Sequence, residues 1–269
     1  MRVTGLYVYP LKSGRALSLA VATLDEFGIE GDRRWCLVGD NGRVITQRDC
    51  PALATLDVAP NQDGLELQTA GRPPLRVRRP ERSREVYPVE VWGDRTGGVA
   101  VSAEADSWLE GLLKRPCRLL YMPPTTHRQV SLSYGRPGDR VSFADGYPLL
   151  LTSEASLAEL NRRMDRTMPM DRFRPNLVID GSEPFAEDGW ARIRVGDTEF
   201  RVVKPCARCV VTTTDQRTGV RGKEPLRTLA TFRNADGKVL FGENLIHDGP
   251  GPVRPGDSVE VLERRGPGS

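Results

Sequence analysis

Apolar and polar positions alternate over residues 2–9, and this period of two predicts a β-strand. Residues 17–25, rich in Leu, Val and Ala, predict another, and the runs 34–39 and 43–47 flank Asp40-Asn41-Gly42. Asn-Gly between two such runs predicts a hairpin, because both central residues tolerate positive φ. Further strands at 55–59, 64–69, 75–79 and 86–92 are separated by Gly- and Pro-rich turns. A helix over 103–114 has Ser102 as its cap and Glu104 and Asp106 at its positive end. Trp108, Leu109, Leu112 and Leu113 form its apolar stripe.

The second half repeats this style. Pro137-Gly138-Asp139 opens a strand at 140–143, and Pro255-Gly256-Asp257 opens one at 258–263. A helix over 154–164 is capped by Ser153 and carries Leu157, Leu160 and Met164 on one face. Strands are expected at 176–180, 192–195, 198–203, 209–214 and 239–241, and Pro225 opens a short helix with Leu226, Leu229 and Phe232. Turn signals every 8–12 residues with only three helices predict a mainly β (α+β) chain of barrel or sandwich type. Strands that do not alternate with helices argue against a parallel sheet. A seam is expected at 122–135, where Pro123, Pro124, Gly135, Pro137 and Gly138 cluster.

Composition narrows the function classes. The 269 residues allow one to two domains with a core that needs no disulfides. A net charge of +3 and 6% aromatics exclude a nucleic-acid surface, and no apolar run has membrane-spanning length. Five scattered cysteines point to a reducing compartment, and with no signal-peptide core at the N-terminus a cytoplasmic location is expected. Only five of the 39 basic residues are lysine, which singles out Lys12 and Lys204 as places where a compact ammonium is wanted.

The densest chemistry is Lys204-Pro205-Cys206-Ala207-Arg208-Cys209, running into Val-Val-Thr-Thr-Thr-Asp. A zinc site needs two further ligands, and Cys36, Cys50, Cys117, His127 and His247 offer no second close pair. A thioredoxin-like motif opens a helix, whereas these cysteines precede β-branched residues. Two readings remain open: a single thiolate ligand to a soft metal, made acidic by Lys204 and Arg208, or two small core residues behind a solvated rim. Other segments supply basic groups suited to an anion. The turn Pro10-Leu11-Lys12-Ser13-Gly14 offers backbone N–H groups to a phosphate, and Asp32-Arg33-Arg34-Trp35 and Thr46-Gln47-Arg48 bracket the hairpin. In Phe173-Arg174-Pro175-Asn176, Pro175 is expected to hold Arg174 extended.

Taken in order, strand-Pro-x-Lys-Ser, Gly-Asp-Arg-x-Trp, Phe-Arg-Pro-Asn and Cys-x-Arg-Cys-x-x-Thr-Thr-x-Asp-x-x-Thr-Gly resemble the MOSC family, named for the C-terminal domain of molybdenum cofactor sulfurase. Within it, the chain is most similar to the branch of the mitochondrial amidoxime-reducing component and its bacterial relatives. Ser153-Glu154-Ala155-Ser156-Leu157, Ala186-Glu187-Asp188-x-Trp190 and Lys223-Glu224-Pro225-Leu226 extend the match. The resemblance implies an N-terminal β-barrel-like domain over 1–121 and a MOSC β-barrel domain over 122–265. Residues 266–269 would be a disordered tail.

By the same resemblance, Cys209 is the molybdenum-binding thiolate and catalytic centre, and Ala207 and Arg208 line the pterin pocket. Lys12 and Ser13 touch the pterin and its phosphate, and Arg33, Arg174 and Asn176 complete the contacts to a molybdenum–molybdopterin cofactor. The implied activity is reduction of N-hydroxylated small molecules to amines or amidines. With no C-x₄-C-x₂-C ferredoxin pattern in the chain, electrons are expected from a separate ferredoxin- or flavin-type protein, and neither nucleic acid nor membrane is expected as a partner. Two rivals use the same residues: a cofactor carrier without turnover, and sulfur transfer through a persulfide on Cys206 or Cys209.

Overall fold

The computed structural model describes residues 1–81 and 85–266. Strands dominate, and the α-helices among the described residues are Ala103–Leu113, Glu154–Arg162 and Leu226–Leu229. Ser102 and Ser153 cap the first two as expected, their hydroxyls accepting from the backbone N–H of Ala105 and Ala155 at 3.2 Å each. The hairpin around Asn41-Gly42 also forms, with Leu37 opposite Ile45.

The largest sheet runs in the order Leu17–Ser18, Arg2–Val8, Leu177–Asp180, Leu149–Ser153, Lys238–His247, Thr198–Ala207, Trp190–Val195, Val259–Arg264. Its buried face gathers Val3, Leu6, Leu151, Leu177, Ile179, Phe200 and Leu245 into one core. The second sheet, Val86–Val91, Asp94–Ala100, Arg118–Tyr121, Trp35–Val38, Val44–Ile45, lies in the first half of the chain. Near it, Leu53, Leu65, Leu67 and Val77 pack with Leu109 and Leu113 of the first helix. Two small sheets complete the chain: Asp57–Pro60 with Gly64–Gln68 and Leu75–Arg78, and Ala22–Asp25 with Gly28–Ile29 and Gly251–Val253.

Chain order and sheet membership do not coincide. Strand Arg2–Val8 pairs with Leu177–Asp180, Leu6 opposite Leu177, so the first strand belongs to the large sheet of the second half. Ala22 likewise pairs with Val253. Both pairings cross the sequence seam at 122–135. Of the expected tail, Gly266 is exposed and 267–269 lie outside the described residues.

Several strand expectations need correction. Residues 140–143 make only an isolated bridge, Gln129 to Arg140. There the buried Arg128 donates to the carbonyls of Ser142 at 2.8 Å, Ala144 at 2.6 Å and Asp145 at 3.0 Å, taking acceptors that a strand partner would use. Residues 209–214 hold the 3-10 turn Val210–Thr213. Its threonine hydroxyls donate back to the carbonyls of Cys209 and Val210 at 3.0 and 2.7 Å, a local alternative that overrides β propensity. Helix Glu154–Arg162 joins strands Leu149–Ser153 and Leu177–Asp180 in parallel, so one parallel pair does exist. Strand Asp94–Ala100 escaped the pattern because Gly97 and Gly98 interrupt it. A Cβ on Gly97 would meet Val86 Cγ1 at 2.6 Å, so a larger residue there would push the exposed Val86 side chain aside.

Candidate functional site

The end of the first strand, the 32–48 segment, the turn after Phe173 and the Cys-x-x-Cys segment converge on one cleft with about 790 Å³ of empty space, counting its open mouth. All eight residues singled out above line it: Lys12, Ser13, Arg33, Arg174, Asn176, Ala207, Arg208 and Cys209. With Arg48, five cations face the cleft against one lining carboxylate, Asp145.

Tyr9 organises two of these cations and was not among the expected residues. The guanidinium carbons of Arg33 and Arg174 lie 4.3 and 4.2 Å from its ring centroid. The phenol is buried and donates to the carbonyl of Pro175 at 2.9 Å, and burial raises its pKa. Arg33 Nη1 donates to Asp32 at 2.6 Å and to Asn176 Oδ1 at 3.0 Å. Asn176 spends its amide on the Tyr7 carbonyl and on Asp32, both at 3.1 Å. Asn176 therefore fixes the arginine and not a free donor toward the cleft.

Arg174 is not extended. At φ 55 and ψ 47 it is left-handed, closing the 3-10 turn Met170–Phe173. That turn, together with a 2.7 Å bond from Nη1 to the Gly14 carbonyl, outweighs the preference imposed by Pro175. Its Nη2 is buried without a partner. Burial, with Arg33 adding repulsion, pushes its pKa down to about 10. A chain of amides ties the two halves together at this point. Gln47 Nε2 donates to the Ser13 carbonyl at 2.9 Å, and Gln47 and Gln216 exchange side-chain bonds at 2.9 and 3.0 Å.

The turn at Lys12 does not offer the expected N–H cradle. The N–H groups of Lys12 and Gly14 are bonded to the carbonyls of Trp35 and Leu11, at 2.8 and 2.9 Å. The buried Lys12 ammonium reaches the Phe143 carbonyl at 2.7 Å and Asp145 at 2.5 Å. Burial lowers the pKa of Lys12. Asp145, with its side chain 61% exposed, is held well below the usual carboxylate range by the ammonium of Lys12 and then by Arg48. Asp145 sits in a turn-like Ala-Asp-Gly stretch, which is why sequence reading passed over it.

The cysteine pair departs most from expectation. Cys206 lies in strand Thr198–Ala207 and Cys209 begins the following turn, yet both line the cleft. Side chains three apart on one strand would face opposite ways, but the strand ends between these two, so Cys206 faces the cleft as well. The Arg208 guanidinium lies on Cys206, 2.8 Å from Nη1 to Sγ, and burial raises that thiol's pKa against the pull of Arg208. Lys204 sits 4.5 Å over the Tyr134 ring, engaged with that aromatic face. Among the described residues no three His, Cys, Asp or Glu side chains gather as a metal site.

Known proteins match along the chain. The MOSC domain family matches residues 138–260, and the MOSC N-terminal beta barrel domain family matches residues 1–116. Mitochondrial amidoxime-reducing component 1 of Mus musculus is 34% identical over 279 residues, covering 97% of this chain and 82% of that protein. The Homo sapiens protein of that name is 33% identical with the same coverage. Molybdenum cofactor sulfurase of Danio rerio is 32% identical, covering 91% of this chain and 32% of its own length.

These relatives overturn the expected cytoplasmic location, since the amidoxime-reducing components are named as mitochondrial. Cysteine usage reports a reducing environment and hydropathy reports long apolar runs, whereas compartments are set by address signals that receptors read. Among the described residues no helix is long and apolar enough to cross a membrane. With the two family regions in register along one chain and amidoxime-reducing components matched over nearly all of it, this protein belongs to the MOSC family, carrying a MOSC N-terminal β-barrel domain followed by a MOSC domain.

Proposed function

We propose that the cleft binds a molybdenum–molybdopterin cofactor and that the protein reduces N-hydroxylated compounds to amines or amidines. One observation carries this reading: a cation-rich cleft that joins Cys209 to residues from both halves of the chain. The donor set fits the cofactor. An anionic phosphate suits an excess of guanidinium groups, and the buried Arg174 Nη2 and Arg208 Nε lack partners within the protein. Two relatives are named amidoxime-reducing components, which supports the substrate class.

When bound, the cofactor supplies two-electron reduction of an N–OH group to N–H, with release of water. The residues of the chain bind and orient it. Cys209 is the proposed molybdenum ligand, presented where strand Thr198–Ala207 breaks into a turn. Arg174 offers Nη2 to an anionic group, while Tyr9 and Gly14 fix its other contacts. Arg33 is held rigid by Asp32 and Asn176, so little side-chain entropy is lost on binding. Lys12 acts through Asp145, and Ser13 through the Gln47–Gln216 pair that braces the wall. Ala207 and Arg208 form the wall beside Cys209. Electrons come from a separate protein of ferredoxin or flavin type. The two halves, 1–121 and 122–265, act as one cofactor-binding unit.

The test is metal and pterin analysis of protein made in a host that synthesises molybdenum cofactor, followed by turnover of benzamidoxime with a chemical reductant. Stoichiometric molybdenum and pterin with conversion to benzamidine is the expected result. Bound cofactor without conversion would instead favour a carrier, and protein without molybdenum or pterin would overturn the reading.

A further inference from the structure

We propose that the indole of Trp92 is a recognition face at the mouth of the cleft, stacking on a planar aryl group of the substrate. This rests on the cleft being the reaction site for N-hydroxylated compounds.

Trp92 stands at the tip of a tight hairpin. Val91 pairs with Asp94, so Trp92 and Gly93 form a two-residue turn, with φ of 53° and 88°. Such turns are made for Asn, Asp and Gly, and a bulky aromatic ring in the left-handed region is a rare outlier. Turn formation alone gives no reason for tryptophan, and its exposure, 63%, gives no packing reason. Trp35 and Trp190, by contrast, are buried in the core.

The ring is nevertheless anchored. The Arg48 guanidinium carbon lies 4.1 Å from the indole centroid, covering one face. Arg48 in turn reaches Asp145 at 3.8 Å. Both Arg48 and Asp145 line the cleft, and Asp145 is the partner of Lys12. Trp92 is therefore one side chain outward from the cleft wall, with a free π face held in place before any ligand arrives. An N-hydroxylated molecule with its N–OH group in the cleft extends its organic remainder toward this mouth. A flat, pre-oriented indole suits a planar conjugated group, because offset stacking adds attraction beyond buried area and the ring has little freedom left to lose. A protein partner would need a wider apolar patch, and the exposed Val86 lies at the opposite end of the same strand.

The experiment compares benzamidoxime with acetamidoxime on cofactor-loaded wild type, W92F and W92A, using a chemical reductant. W92A should raise KM for benzamidoxime about tenfold with kcat largely kept, whereas acetamidoxime, which has no ring to stack, changes far less. W92F should restore most of the benzamidoxime KM. A second readout is independent of turnover: benzamidine should quench tryptophan emission of the wild type, and the quench should be lost in W92F. Equal changes of KM for both substrates, or equal quenching in W92F, would overturn the assignment. So would a defect seen only when a protein electron donor replaces the chemical reductant, which would make Trp92 a donor-docking residue. Failure of every variant and the wild type to reduce either compound would refute the reductase reading, while the benzamidine titration would still decide on Trp92.

Discussion

Arg208 donates from Nη1 to Cys206 Sγ over 2.8 Å, and from Nη2 to the Phe173 carbonyl over 2.6 Å. Both outer nitrogens of the guanidinium are thus committed to the first cysteine and to the turn before Arg174. Arg208 is engaged with Cys206, while Cys209 lines the same cleft.

The two thiols should therefore separate on substitution. Cys209→Ser is expected to abolish reductase turnover and to change the absorption of the bound metal. Cys206→Ser is expected to keep a substantial part of both, since serine can still accept from Arg208. Molybdenum analysis and visible spectra of the two variants check this; equal losses would argue for chemistry that needs both sulfurs.

Removing the first half should unfold the second. A fragment starting at residue 122 lacks strand Arg2–Val8, which exposes the edge of Leu177–Asp180 and removes Val3, Leu6 and Val8 from the core. The expected result is no cooperative thermal transition and no retained molybdenum. A fragment that melts cooperatively with cofactor bound would show the strand to be dispensable.

Tyr9 and Arg174 should be linked in cofactor retention. Arg174→Ala removes a charged hydrogen bond worth about 1.5–3 kcal/mol, or roughly ten- to hundredfold in retention. Tyr9→Leu should weaken retention in the same direction by releasing both guanidinium groups, while Tyr9→Phe keeps the ring and loses only the bond to Pro175. Molybdenum content after dialysis measures this, with melting temperature as the control for folding.

A pH dependence of stability is expected from Glu243. It is 0% exposed, bonded to Arg265 at 2.8 Å, and its pKa is pushed up to about 8 by burial, with Asp188 and Glu187 adding to the shift against the pull of Arg265. A carboxyl group with a raised folded-state pKa binds its proton more tightly when folded. Its contribution to stability is thus complete below the unfolded value, about 4.3, and is lost as pH rises. The loss ends once pH has passed about 8. Glu243→Gln keeps an acceptor for Arg265 and removes the ionisation, so its melting temperature should fall less from pH 6 to pH 9 than that of the wild type. Parallel slopes would exclude Glu243 as the source.

Much of this molecule is local and so was legible in the chain. The caps at Ser102 and Ser153, the Asn-Gly hairpin and most strands follow from side-chain period and turn chemistry, which act over a few residues. The pocket residues were legible through motif order, because a resemblance carries tertiary information that periodicity lacks. Where local preference met a competing contact, it lost: Arg174 left the extended region, and the Thr-rich run after Cys209 became a turn.

By itself the sequence determined a mainly β chain with three helices, its turns and caps, and the basic and thiol side chains that line the cleft. Only the tertiary structure decided which of them meet. Tyr9 is an ordinary strand-end aromatic until Arg33 and Arg174 close on it, and Trp92 is a hairpin tip until Arg48 and Asp145 tie it to the cleft. Strand Arg2–Val8 joins Leu177–Asp180 across most of the chain for the same reason. Burial of apolar faces and pairing of desolvated charges depend on distance in space, and no period along the sequence encodes that distance.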